Sequence, residues 1–442
     1  ALTLTEFNNN PKAARPASGG LPSAVNAKAA IFQKNFLAGI NNSFTISTSI
    51  KNNTIIYGSY ALVKNSAIRN YERRTEPSFG GRSVFSWRKS NPVSDWNIIA
   101  GAEFQQGYFN TQVSKNKNGN PDTLQTNDDI ATSNLSVFTQ AVVDLGKTWS
   151  VIGGFSISKT KLELTRLSSY PVIAQNRTYR NEIAPRLSVL KKINSNIHWL
   201  ASIAKGFSPP TIAEVLPSTG VISTNLEAER GWNYETNLRC FLLKSRLTLE
   251  LTGFYFKLNE ALVQRRDAGG ADFFINAGDT KQKGIEFHAD YSKNCFGNII
   301  SKFNIRTDFT YNHFRYGYFV KGTDDFSGKK IPSVPSTVIT VLADLYSYQG
   351  IYLNANYYTA SSIYLNDANT AKAKPYHLIG CQLGWKKKEK GPYRLNIYAG
   401  IDNLLDETYS LGNDINAAGG RYYNAAPKRN FYIGIALQWL KK

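Results

Sequence analysis

The sequence has very few residues of the kinds that hold metals or perform catalysis. Among its 442 residues are no methionine, three cysteines and four histidines. Cys240, Cys295 and Cys381 lie far apart without a C-x-x-C spacing, so the sequence indicates neither a disulfide framework nor a zinc site. The histidines are equally dispersed, and no nucleophile elbow, P-loop or zinc-protease motif is present. We therefore predict that the protein is not an enzyme and that it has no catalytic residues, no metal ligands and no cofactor.

Long apolar runs are missing as well. Hydrophobic residues make up 42% of the chain, but no run approaches the ~20 apolar residues that a membrane-spanning helix needs. The first residues do not form a signal peptide, which would have a charged start followed by an apolar stretch. Together with the missing methionine, this predicts that the sequence is a fragment of a longer chain.

What the sequence does have is a two-residue rhythm. Between residues 303 and 312, most odd positions are apolar or aromatic and the even positions are polar. The same period recurs in segments that begin near residues 96, 135, 149, 247, 351, 393 and 431. Side chains of a strand point alternately to opposite faces, so each segment predicts a strand with one apolar and one polar face. The fold class predicted is therefore all-β.

The connections between these strands alternate in length. Short ones are predicted at 49–54, 89–95, 144–148, 191–196, 243–246, 294–298, 347–350 and 386–392, and long polar ones at 63–81, 107–130, 167–180, 208–230, 265–272, 315–332, 361–374 and 406–429. This alternation is typical of an antiparallel transmembrane β-barrel with short periplasmic turns and long extracellular loops. A Greek-key sandwich, the soluble alternative, gives no reason for it. Aromatic residues at strand ends suit the girdles of such a barrel.

The number of strands predicts an incomplete barrel. The pattern gives roughly 16–18 strands, with about 17 as the best count, whereas bacterial single-chain barrels have an even number. We interpret residues 1–30 as an extracellular loop or the tail of an earlier strand, at Leu2 to Phe7. Residues 31–442 are interpreted as the partial outer-membrane barrel.

The net charge of +20 favours anionic partners. The cations are scattered over turns and loops, which does not suit a nucleic-acid-binding module, so no nucleic acid is predicted. We interpret the cations at the periplasmic rim as a solvated belt that flanks the membrane. The expected partners of the barrel include outer-membrane lipid and lipopolysaccharide.

Several segments carry a resemblance to a known family. They are 205–215, 225–235, 274–278 with 284–286, 400–409, 420–423 and 427–431, and they contain Gly206, Phe207, Pro210, Glu229, Tyr234, Glu235, Asn276, Gly284, Glu286, Asp402, Asn403, Tyr409, Pro427, Arg429 and Phe431. In this order, the segments resemble the TonB-dependent outer-membrane receptors. For Arg429 we expect an ion pair with a lumen acid, either Glu235 or Glu286.

The resemblance implies a fold and a function. Receptors of this family form a 22-stranded barrel whose lumen is closed by an N-terminal plug, and this chain is expected to be the C-terminal barrel portion without its plug. The implied function is uptake of a scarce substrate, a ferric siderophore before cobalamin or haem, energised by the TonB complex through the missing plug. The implied localisation is the bacterial outer membrane.

Substrate contacts are predicted on the long loops, where aromatic rings can pack against a chelate and cations can meet its negative charge. The candidates are Arg265, Arg266, Asp267, Arg421, Tyr422 and Tyr423. Two other functions stay open at this point: a general porin, and a surface adhesin or assembly barrel.

Overall fold

The protein is dominated by one antiparallel sheet. A computed structural model describes residues 1–217, 222–266, 272–295, 299–321, 323–386 and 393–439. The sheet contains 18 strands. The large sheet is formed by β1 (Ala30–Thr45), β2 (Ile50–Ser66), β3 (Asn70–Ser90), β4 (Ser94–Lys117), β5 (Asn120–Leu145), β6 (Trp149–Arg166), β7 (Ile173–Thr178), β8 (Glu182–Lys192), β9 (Ile197–Ser208), β10 (Glu229–Leu242), β11 (Leu247–Asn259), β14 (Asp279–Asn294), β15 (Ile300–Tyr316), β18 (Thr337–Ser347), β19 (Ile351–Ala360), β22 (Tyr376–Lys386), β23 (Tyr393–Asp402) and β24 (Asn430–Trp439).

The remaining elements are small and lie outside the large sheet. Three hairpins are formed by β12 (Leu262–Arg266) with β13 (Asp272–Asn276), β16 (Val320–Lys321) with β17 (Asp324–Asp325), and β20 (Ile363–Tyr364) with β21 (Lys372–Ala373). The helices are α1 (Leu4–Asn9), α2 (Ile212–Val215) and a 3₁₀ turn at Ala418–Gly420. Within the described residues, no helix combines the length and the apolar character that crossing a membrane requires.

The order of pairing is that of a meander, in which each strand pairs with the next strand of the wall. Both β7 and β8 pair with β6, so the 18 strands occupy 17 places in the wall. In the described part of the chain, β1 pairs only with β2 and β24 only with β23. The predicted all-β antiparallel barrel wall is thus confirmed.

The register places the apolar side chains on one face. For example, Phe309 lies opposite Phe287 on β14 and Ile339 on β18, while the neighbouring Asp308 lies opposite His288 and Thr340. We call the apolar face outer and the polar face inner. Large apolar side chains of the outer face are solvent-accessible rather than packed in a core, as expected of a surface that meets lipid.

Two of the predicted long loops are wrong. Residues 63–81 and 107–130 mostly continue the strands, because β2 ends at Ser66 and β3 begins at Asn70, while β4 and β5 are joined through residues 118 and 119. Polar side chains dominate there, but long strands that extend above the membrane need no apolar face toward lipid. Polarity therefore marked the end of the membrane band and not the end of the strand.

The start of the chain also differs from one of the two structures predicted for it, the tail of an earlier strand. The suggested strand tail at Leu2 to Phe7 is wrong, because Leu4–Asn9 is helical. The Thr3 hydroxyl accepts from the Glu6 backbone N–H, and the Glu6 carboxylate accepts from the Thr3 backbone N–H, which forms a capping box. Only Leu2 has a strand-like contact, a single bridge to Tyr423.

The close packing of β14 makes Gly284 a sensitive position. A Cβ there would collide with the Tyr311 carbonyl oxygen and the Phe254 ring, whereas a Cβ at Gly153 of β6 meets nothing within 4 Å. We expect Gly284→Val to cost about 1–3 kcal/mol through overpacking and Gly153→Val to cost little. The measurement is the temperature at which the intact protein loses its SDS-resistant form on a gel. Equal shifts for both variants would contradict the close approach.

Candidate functional site

Four connections at the extracellular end pack together. We define the loop layer as residues 260–278, 317–336, 361–375 and 403–429, where described, together with residues 1–10. It contains two apolar clusters. The first is built on Ala277, Phe319 and Phe326 and packs on Tyr316 at the end of β15, and the second is built on Leu2, Phe7, Leu365, Ala373 and Tyr423. Each cluster joins segments that are distant in sequence. The loops therefore support one another instead of extending separately into solvent.

A buried ion pair joins two connections of the loop layer, residues 260–278 and 361–375. The Arg265 Nη2 atom is 2.6 Å from the Asp367 Oδ2 atom, and the two side chains are 11% and 1% exposed. The Tyr316 hydroxyl donates to Asp367 Oδ1 at 2.7 Å, and the Asn416 amide donates to the same oxygen at 3.2 Å. The Arg265 guanidinium also lies over the Phe319 ring, 5.5 Å from its centroid. This pair joins three loops and the end of β15, because each partner comes from a different connection.

A second ion pair fastens the last long connection to α1. The two Arg421 Nη atoms donate to the two Glu6 carboxylate oxygens at 2.7 and 3.0 Å, a bidentate geometry. The Phe7 and Tyr423 rings stack with their centroids 5.1 Å apart, and Tyr422 packs against the same cluster. Residues 420–423 thus hold the first residues of the chain in place.

The predicted substrate contacts therefore differ in whether their side chains are paired, buried or exposed. Arg265 and Arg421 are occupied by carboxylates, and Tyr423 is buried. Tyr422 is partly exposed. Arg266 ends β12, and Asp267 lies outside the described residues. The structure brings Arg265 and the 420–423 segment into one loop layer, but it gives Arg265 and Arg421 internal partners that the sequence did not reveal.

Several positions of the family resemblance stabilise loop ends. The Asn276 amide donates to the Glu227 and Glu260 carbonyl oxygens at 3.1 and 2.7 Å. Asn403 has a positive φ of 51°. Its side-chain NH2 group donates to the Glu407 carbonyl oxygen, and its Oδ1 atom accepts the Glu407 backbone N–H. Tyr409 stacks on Tyr376 at 4.8 Å. These residues shape the points at which the chain leaves the wall.

Other positions of the resemblance lie along the wall itself. Gly206 and Phe207 lie near the end of β9, just before Pro210. Glu229 begins β10 although the sequence predicts a long connection there, Asp402 ends β23, and Glu235, Glu286, Tyr234 and Phe431 lie within strands. By register, Glu235 and Glu286 face inward, whereas Tyr234 and Phe431 are exposed on the outer face.

The expected partner of Arg429 is wrong. Its guanidinium lies 3.9 Å from Asp406, and its backbone N–H donates to the same carboxylate at 3.1 Å. Asp406 and Arg429 lie at the two ends of the last long connection, next to Pro427, so the ion pair closes the base of that loop. Glu235 and Glu286 lie on strands β10 and β14, far around the wall in pairing order.

The inner face carries paired charges along several strands. His288 Nδ1 lies 2.6 Å from Asp308, Arg306 lies 3.0 Å from Asp290, and Arg239 lies 2.7 Å from Glu250. Tyrosines on β19 and β24 are linked to amides, since the Tyr352 hydroxyl donates to Asn396 at 3.0 Å and the Tyr432 hydroxyl donates to Gln382 at 3.2 Å. The inner wall therefore offers a hydrated, polar surface below the loop layer.

Residues 5–404 match the protein family described as TonB dependent receptor-like, beta-barrel. The chain belongs to this family of TonB-dependent receptors. The family consists of receptors and transporters of the bacterial outer membrane rather than enzymes, so the predicted localisation is confirmed.

Solved structures have the same fold. The unliganded ferric citrate transporter FecA is 16% identical with a TM-score of 0.79, and the comparison covers 99% of this chain and 65% of that one. The siderophore receptor PiuA of Acinetobacter baumannii is 14% identical with a TM-score of 0.73, over 93% and 65% of the two chains. The copper transporter OprC is 14% identical with a TM-score of 0.71, over 91% and 65%. The present TonB-dependent receptor chain thus spans about two thirds of the length of these proteins.

One signal in the sequence could have revealed α1. Thr3 and Glu6 have the spacing of a capping box, which marks the start of a helix. The ion pair of Arg265 with Asp367 has no such signal, because about a hundred residues separate its partners.

Asp367 is expected to control the order of the loop layer. Asp367→Ala would leave the Arg265 charge buried without its partner, a loss of about 3–5 kcal/mol for a buried pair. Hydrogen exchange of residues 262–266 and 361–375 should become much faster. Asp325→Ala is the control, because this exposed carboxylate accepts from the Ser327 N–H in a neighbouring hairpin. Similar exchange in both variants would contradict the role given to the buried pair.

Lowering the pH should release α1 from the loop layer. Burial acts to raise the pKa of Glu6, but hydrogen bonds from the Thr3 N–H and Arg421 outweigh it, so the pKa lies below the usual 4.5. A lowered pKa stabilises the docked helix above pH 4.5 and loses this contribution as the pH falls through the lowered value. Hydrogen exchange of residues 4–9 should accelerate over that interval, whereas Glu6→Gln should exchange fast at every pH. An unchanged pH profile in Glu6→Gln would refute the assignment.

Proposed function

We propose that the protein takes up an iron–siderophore complex across the outer membrane, with energy supplied by the TonB complex. The observation that carries the proposal is the loop layer, fastened by a buried Arg265–Asp367 pair at the extracellular end of a polar-walled barrel. An ordered layer of this kind suits selective capture, while a general diffusion channel would need only an open mouth. TonB would act through the plug that the family resemblance places before the barrel.

The relatives support the nature of the substrate. Among proteins of the same fold, one is a transporter of ferric citrate and another a siderophore receptor, and the Fiu protein of E. coli K12 is a ferric-catecholate import receptor, 12% identical with a TM-score of 0.72 over 99% and 69% of the chains. These names describe the substrates of the relatives and not that of the present chain. They support a ferric chelate as the first substrate to test here.

The chemistry of the loop layer supports the same class. The chain has 52 Lys and Arg against 32 Asp and Glu, so an anionic chelate is attracted to it. On the loops, Tyr318 is 70% exposed, and the Lys321 ammonium lies 5.5 Å from the centroid of the Phe273 ring. Exposed rings and cations can bind the flat, negatively charged surface of a ferric chelate.

The predicted contacts acquire two roles in this proposal. We assign direct contact to Tyr422, to Arg266 and to Asp267, which follows Arg266 in the sequence. We assign positioning to Arg265, Arg421 and Tyr423, because their side chains already hold the loop layer together. Substrate recognition would then depend on the order of the layer as much as on the contacting side chains.

Uptake of radioactive iron tests the function. A strain that lacks the gene should lose accumulation of at least one ferric chelate from a panel of siderophores and ferric citrate. Complementation should restore it, and a protonophore should abolish it. Unchanged uptake of every chelate, with loss of surface attachment instead, would favour the adhesin. Steady ion conductance of the intact protein in a planar bilayer would favour the porin, since a plugged receptor should be nearly silent.

A further inference from the structure

A line of tyrosines follows the inner wall of the barrel from the loop layer toward the periplasmic end. By register, its members on β19, β22, β23 and β24 lie on the same face as Thr340 and Asp308, which is the inner face. We call this set the tyrosine track, and it consists of Tyr409, Tyr376, Tyr358, Tyr432, Tyr398 and Tyr352. From Tyr376 to the level of Tyr352, the track covers about 27 Å along the strands.

The upper tyrosines of the track contact one another. The ring centroids of Tyr409 and Tyr376 are 4.8 Å apart, and those of Tyr376 and Tyr358 are 5.9 Å apart. Tyr409 belongs to the last long connection and therefore to the loop layer, whereas Tyr376 and Tyr358 lie on strands of the wall. The track thus begins where the loop layer meets the lumen.

The lower tyrosines lie flat against the wall. Each ring covers a glycine of a neighbouring strand so closely that a Cβ would collide with the ring: Tyr352 covers Gly384, Tyr398 covers Gly434, and Tyr432 covers Gly400. The rings of Tyr398 and Tyr432 are 6.3 Å apart, and Tyr432 is 36% exposed. Because flat rings do not project into the lumen, they form a smooth aromatic surface along it.

Amide groups connect the members of the track. The Gln382 amide donates to the Tyr352 hydroxyl at 3.1 Å and accepts from the Tyr432 hydroxyl at 3.2 Å. On β19, Asn354 and Asn356 occupy the inner positions between the upper and the lower tyrosines. An amide both donates and accepts hydrogen bonds, so the track offers hydrogen-bonding partners throughout its length.

The track carries almost no charge. Among the described inner positions of its four strands, Asp402 is the one charged residue at the height of the track, and the Lys386 ammonium lies at its lower end, 4.8 Å from the centroid of the Tyr352 ring. In contrast, the inner face of β10, β11, β14 and β15 carries the paired charges described above. Fixed charges hold or repel an anionic chelate strongly, whereas uncharged groups bind it weakly enough to release it. A chelate can therefore move more easily along the uncharged side.

We propose that the tyrosine track guides the substrate from the loop layer across the lumen, and that this substrate is a ferric chelate with aromatic groups, of the catecholate or phenolate type. The inference rests on the uptake function proposed above. Rings of the chelate pack in turn against Tyr358, Tyr432 and Tyr398, and its polar edge exchanges hydrogen bonds with the amides. A chelate whose surface consists of carboxylates, such as ferric citrate, has no ring to pack on the track.

The first experiment measures the rate of uptake. A strain that lacks the gene is complemented with the full-length protein or its variants, at equal amounts of the SDS-resistant form, and uptake of a ferric tris-catecholate is measured against its concentration. Tyr398→Leu with Tyr432→Leu should lower the maximal rate about tenfold, because two aromatic contacts are lost, without changing the KM, which the loop layer sets. Tyr57→Leu with Phe138→Leu is the matched control, since these inner-face rings also cover glycines but lie outside the track, on β2 and β5.

The second experiment separates the rings from the hydroxyl groups and tests the substrate class. Tyr398→Phe with Tyr432→Phe keeps both rings and should retain most of the maximal rate. The unchanged protein should take up ferric citrate more slowly than the catecholate, and the Leu double variant should reduce citrate uptake little. If that double variant does not form the SDS-resistant barrel, Tyr432→Leu alone should show a smaller loss in the same direction, because its ring is partly exposed.

The outcomes distinguish the track from the uptake function. If the unchanged protein takes up the catecholate but the track variants have the same maximal rate as the control variant, the track is refuted and the uptake function stands. A Phe variant as slow as the Leu variant, or faster uptake of ferric citrate than of the catecholate, would also overturn the track. If loss of the gene leaves the uptake of every chelate unchanged, the uptake function itself is wrong, and the track is rejected with it.

Discussion

The structure depends on the need to pair every backbone N–H and C=O group inside the lipid layer. Each unpaired group there costs several kcal/mol, and a continuous antiparallel sheet satisfies the groups between neighbouring strands. This explains why 18 strands form one sheet and why consecutive places in the wall are also neighbours in sequence. The apolar outer face and the polar inner face follow from the two-residue period of the same strands. The short turns follow as well, because neighbouring strands need little chain to reverse direction.

Above the membrane this constraint ends, and side chains decide the structure. There the backbone can bond to water, so the loop layer needs other interactions to become ordered. The ion pairs of Arg265 with Asp367 and of Arg421 with Glu6 supply them, together with the two apolar clusters. A binding surface that combines ordered loops with a polar wall suits a receptor.

The interactions of the loop layer also explain why several predicted substrate contacts bind other parts of the protein. The sequence predicts Arg265, Arg421 and Tyr423 as substrate contacts because cations and rings on loops suit a chelate. Residue type alone does not distinguish a contact with substrate from a contact within the protein. Their internal partners lie far away in sequence: Arg421 is paired with Glu6 at the other end of the chain. The predicted partner of Arg429 is wrong for the opposite reason, because its carboxylate partner, Asp406, is nearer in sequence than Glu235 or Glu286 and closes the same loop.

The sequence by itself determined the class of fold, the order of the strands, the short turns and the membrane band, because these depend on the local two-residue period and on connection length. It also held the capping signal of α1 in Thr3 and Glu6. It did not determine where β2 to β5 end, since polar residues above the membrane suit a strand as well as a loop. Only the tertiary structure decided the partners of the loop residues and the alignment of Tyr376, Tyr398 and Tyr432 into one track. Register and loop packing bring together residues that no local pattern connects.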